Sequence, residues 1–187
     1  MRLLPHIDQY QTPISGTSGD WREERNLDVQ ENITYFLTCL EKDRETRYIN
    51  RKQPDTKNHT TPQPDCLVEE SGTGCQVAIE YSELRVAAEM PRMRRELNSI
   101  GFTIPPVLKG EDLASKLAEA IKQKKDKGQF NNYPNAEKIL LLKDWVSGRH
   151  KIQEFLECYS YFQQPDEPGC DHCYIILRKK GDVLQLF

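Results

Sequence analysis

Asp65 and Glu80 are the residues whose types and spacing could do chemistry in this chain, with fourteen residues between them. Asp65–Glu70 reads as one strand and Cys75–Ser82 as the next, joined by the turn Ser71-Gly72-Thr73-Gly74. If Glu70 faces Cys75, an antiparallel register carries Asp65 directly opposite Glu80. Opposed residues share a sheet face, with Cβ atoms about 5 Å apart. Two carboxylates at that distance repel unless a cation or a proton lies between them. A divalent metal site needs that geometry, and metal-assisted phosphodiester hydrolysis is its best-known use.

Alternation along the second strand sends Cys75, Val77, Ile79 and Tyr81 to one face, suited to a core. Gln76, Ala78, Glu80 and Ser82 fall on the other, where the small Ala78 leaves room beside Glu80. A plainer reading stays open for each acid. Asp65 follows Pro64 at a strand start, where Asp is a common turn residue, and Glu80 could pair with Arg85.

The elements that must position this hairpin follow from periodicity. Residues 1–20 hold Pro5, Pro13, Gly16 and Gly19 and read as a flexible arm; 21–187 reads as one domain. Val29, Ile33, Phe36, Leu37 and Leu40 form a helical stripe within Trp21–Lys42. A short strand at Arg47–Asn50 precedes the hairpin. Leu84–Ile100 reads as helical with a break at Pro91, and a clearer helix runs from Asp112 to Lys127, closed by Gly128. Ile139-Leu140-Leu141-Leu142 suits a buried central strand. A helix from Ser147 or Gly148 to Phe162 and a terminal hairpin of Cys173–Leu177 and Val183–Phe187 complete the order. The expected class is α/β, a mixed central sheet flanked by helices.

Composition narrows the setting. The chain has 187 residues, 29% of them charged, and a net charge of −3. Between Arg85 and Lys127 ten Lys/Arg face six Asp/Glu, a local +4 that leaves −7 elsewhere. That asymmetry suits one anion-facing side, although a solvated helix pair would look the same. No signal peptide or membrane-length apolar run stands out, so a soluble, cytoplasmic protein is expected. Cys170-Asp171-His172-Cys173 lacks the second ligand pair of a structural zinc site and reads as buried or idle thiols.

Pro64-Asp65 followed by Ile79-Glu80-Tyr81-Ser82 resembles the PD-(D/E)XK nuclease superfamily, whose motif is an Asp on one hairpin strand and Glu-x-Lys on the next. The wider element order over about 21–145 is similar to its restriction-endonuclease-like fold. The resemblance implies a nuclease acting on DNA, with Asp65, Glu80 and the Tyr81 carbonyl holding Mg²⁺ or Mn²⁺. It implies phosphate contacts from Arg92, Arg94 and Arg95, and dimerisation where two strands are cut. An acidic residue of the leading helix also serves some members; Glu23, Glu24 and Glu31 are the options here.

The chain departs from the motif at Ser82, which stands where the family has its catalytic Lys. A hydroxyl cannot supply that charge beside the attacking water. Some members bring the Lys from the following helix instead. The stripe Leu113, Leu117, Ile121 continues to Lys124 and Lys125; Lys125, four residues after Ile121, is the preferred candidate and Lys122 the second. The catalytic set expected from the resemblance is thus Asp65, Glu80, Ser82 and Lys125. Ser82 also favours an alternative, a catalytically inactive nuclease-fold module that binds nucleic acid or a protein partner.

Overall fold

A computed structural model describes residues 1–5, 7, 21–54, 62–84, 99, 110–144, 157, 159–177 and 181–187. The expected helix over Leu84–Ile100, with Arg92, Arg94 and Arg95, and most of the expected helix before Phe162 lie outside these residues.

Seven strands form one mixed sheet: β1 (Arg2–Leu3), β2 (Tyr48–Lys52), β3 (Cys66–Glu70), β4 (Gln76–Leu84), β5 (Glu137–Asp144), β6 (His172–Ile176) and β7 (Val183–Gln185). Their spatial order is β1-β7-β6-β5-β4-β3-β2. β4, β5 and β6 run parallel in the centre, and antiparallel pairs flank them on both sides. The mixed α/β class read from the sequence is the architecture observed.

Two described helices cover the two faces. α1 (Trp21–Arg44) buries Ile33, Phe36, Leu37 and Leu40, the stripe that helical spacing selects. It packs on Val77, Ile79 and Tyr81 of β4, Ile139 and Leu141 of β5, and Tyr174 of β6, with the Phe36 and Tyr174 rings 4.9 Å apart. α2 (Gly110–Asp126) buries Leu113, Ala114, Leu117 and Ile121 against Ala78, Leu84, Leu140, Leu142, Cys173 and Ile175. Gly128, at φ 64°, takes the left-handed conformation that closes this helix, its N–H donating to Lys125 O at 2.9 Å.

Both faces of β4 are therefore covered. Alternation predicts one core face, with Ala78 and Glu80 on the other; instead Ala78 is fully buried and Glu80 is 2% exposed. The parallel centre of the sheet explains the difference, because crossover helices lie over both faces of such strands. Cys75, expected on the core face, lies exposed in the turn.

The start of the chain also departs from expectation. Arg2 and Leu3 pair with Gln185 and Leu184, Leu4 N–H donates to Val183 O at 2.8 Å, and the Leu4 side chain is buried. A two-residue strand is too short to show periodicity, so the segment reads as an arm in the sequence. Residues 8–20 lie outside the described residues.

Candidate metal centre

The β3–β4 hairpin has the register that places the two acids. Cys66 pairs with Ile79, Val68 with Val77 and Glu69 with Gln76, and Glu70 N–H donates to Cys75 O at 2.9 Å. Continued by one residue, that register sets Asp65 opposite Glu80. Asp65 lies just before β3, and its Oδ2 accepts the Tyr81 N–H at 2.8 Å. A main-chain donor thus fixes the Asp65 carboxylate beside the neighbouring residue of the other strand.

Glu80 points from the middle of β4 towards α2. Its Oε1 is bonded to Lys124 Nζ, and the same ammonium donates to Tyr81 O at 3.3 Å. Its Oε2 is buried and meets no donor among the described residues, and the Asp65 carboxyl lies within hydrogen-bonding reach of Glu80. Burial, then the charge of Asp65, pushes the Glu80 carboxyl up to about 8, although Lys124 acts in the opposite direction. Lys124 alone does not neutralise the pair. With both acids ionised these three side chains carry a net −1, and Glu80 keeps its proton near neutrality.

Tyr81 serves the site through its main chain. Its N–H meets Asp65 and its carbonyl meets Lys124, while its ring lies on the α1 face with Asn32 Nδ2 3.3 Å from the hydroxyl. Ser82 follows on the Glu80 face of β4, half-buried beside Leu142.

Lys125 is not brought to the site. Its ammonium pairs with Glu167 at 2.8 Å on the surface. One helical residue turns a side chain about 100°, which separates Lys125 from Lys124. Lys124 lies eleven residues after Leu113, a spacing of about three full turns. That longer spacing, rather than the last i+4 step from Ile121, is the sequence signal for the lysine that continues the buried stripe. Lys122, the second candidate, is exposed. Among the leading-helix acids, Glu31 is half-buried; the side chains of Glu23 and Glu24 lie outside those described.

The Cys170 and Cys173 thiols share the α2 core, but His172 does not join them. Cys173 faces the α2 core and His172 the other face, since neighbours on a strand alternate. Cys170 and Cys173 are buried, and burial raises both thiols, holding them protonated. Asp171 accepts the Lys138 N–H at 2.8 Å, a structural contact at the start of β5. Sequence reasoning overlooked two buried charges, Lys143 and Asp144, at the end of β5; they follow an apolar run whose pattern suggests only core.

Among the described residues no group of three or more His, Cys, Asp or Glu side chains gathers to hold a metal, and no helix is long and apolar enough to cross a membrane. No family model, curated protein sequence or solved structure matches the chain.

Proposed function

We propose that the chain is a metal-dependent nuclease that hydrolyses phosphodiester bonds in DNA through Asp65, Glu80 and Lys124. The observation that carries this reading is Glu80: a buried carboxyl within hydrogen-bonding reach of the Asp65 carboxyl, with one oxygen on a lysine. A hard cation fits that donor set. Two carboxylates and the Tyr81 carbonyl offer oxygen alone, and Mg²⁺ keeps several waters when protein ligands are few. A bound divalent ion supplies charge that polarises a phosphoryl oxygen and lowers the pKa of an attacking water.

The chain's own groups have separable roles. Asp65 is held by the Tyr81 N–H, so it presents its carboxylate without further ordering. Glu80 brings the second carboxylate and can hold a proton at neutral pH. Lys124 contributes the positive charge that Ser82 cannot. Positive charge held close to where negative charge develops is among the larger catalytic effects.

The test is cleavage of supercoiled plasmid and labelled single strands in Mg²⁺ and Mn²⁺, with Asp65→Asn and Glu80→Gln beside the native chain. Metal-dependent cutting lost in both variants supports the reading. A second reading, a non-catalytic module that binds nucleic acid, draws on the Lys124–Glu80 ion pair, which already places a cation on the motif acid. Salt-sensitive DNA binding indifferent to metal, without cutting, is its signature.

A further inference from the structure

We infer that Lys124 is the resident cation of the Asp65–Glu80 site, and that a divalent ion enters only as the Lys124 ammonium leaves Glu80. The inference rests on the metal-centre reading above and adds a coupling between metal loading and the lysine. Nζ touches Glu80 Oε1 and Tyr81 O, one carboxylate and one main-chain carbonyl. These are the two kinds of oxygen a hard cation takes. An ammonium and a divalent ion repel each other and draw on the same oxygens, so both do not rest on Glu80 together.

The surroundings permit the exchange. Lys124 sits in the last turn of α2 on a flexible four-carbon stem, its side chain 15% exposed and its neighbours Lys122, Gln123, Lys125 and Asp126 open to solvent. Lys125 lies on the outer side of this turn. It pairs with Glu167, and its stem lies so close to Gly169 that a Cβ there would come within 2.9 Å of it. The helix stays seated while the Lys124 side chain turns outward. The released ammonium remains tethered beside the two carboxylates, facing solvent, where it can meet a phosphate. Metal loading thereby switches Lys124 from filling the site to receiving an anionic substrate.

The full native chain is titrated with MgCl₂ by calorimetry. It is then pulse-labelled with an amine-acetylating reagent with and without saturating Mg²⁺, and the modified lysines are read by peptide mass spectrometry. Lys124 acetylation is expected to rise about fivefold or more with Mg²⁺, the lower end of usual coupling between linked sites. Lys122 and Lys125 serve as unchanged internal references. Glu80→Gln is expected to label Lys124 quickly without metal and to show no Mg²⁺ effect. Mg²⁺ binding with unaltered Lys124 labelling overturns the exchange and leaves the metal-centre reading standing. Absence of both binding heat and labelling change overturns the two together.

Discussion

Lys124 and Glu80, forty-four residues apart in the chain, form one ion pair across the interface between α2 and the centre of the sheet. Their contact gives Glu80 Oε1 a partner, in a carboxyl whose proton both burial and the neighbouring Asp65 favour. The helix is seated by Leu113, Leu117 and Ile121, so the packing that builds the core also delivers the lysine.

Lys124 and Lys125 are adjacent in sequence but have opposite environments, and their variants separate accordingly. Lys124→Met is expected to lower metal-dependent cleavage by about 100-fold or more, the size of effect seen when a charge-stabilising donor is removed. Lys125→Gln, which loses only an exposed pair with Glu167, is expected to leave cleavage unchanged. Initial rates on one plasmid substrate compare the two.

Stability is expected to fall as pH rises across the range where Glu80 changes state. The folded carboxyl holds its proton up to about 8, against 4.5 for an ordinary Glu. Between those values the folded chain binds more protons than the unfolded one. The contribution is therefore full below about 4.5, shrinks through the interval, and is lost once pH passes about 8. Each pH unit inside the window removes up to about 1.4 kcal/mol. Urea midpoints at pH 5 and pH 8 in metal-free buffer measure it, and Glu80→Gln is expected to lose this part of the pH dependence.

Gly169 adopts φ +76°, and a Cβ there would fall 2.9 Å from Lys125 Cγ and 3.3 Å from Lys125 Cα. Gly169→Ala combines left-handed strain with a close contact to main chain. The expected cost is about 1–2 kcal/mol, a Tm lower by about 2–8 °C for a domain of this size. Thermal unfolding followed by circular dichroism checks it.

The hairpin was legible because two constraints agree. A four-residue turn and strict alternation fix one register, and that register carries Asp65 to Glu80 with no further information. Burial of Glu80 was not legible, since alternation in one strand says nothing about a helix arriving from thirty residues downstream. The choice between Lys124 and Lys125 turned on helix phase. A stripe at i, i+4, i+4 drifts around the helix, and the error accumulates by the last turn. β1 was hidden by its length, and Lys143 and Asp144 by the apolar run that precedes them.

Crystals grown with MnCl₂ and measured at a wavelength where manganese scatters anomalously test the central claim most directly. An anomalous peak between the Asp65 and Glu80 carboxylates, with the Lys124 ammonium displaced from Glu80, is the result expected. Crystals from the same solution with no peak at these carboxylates, and Lys124 still seated on Glu80 Oε1, would contradict it.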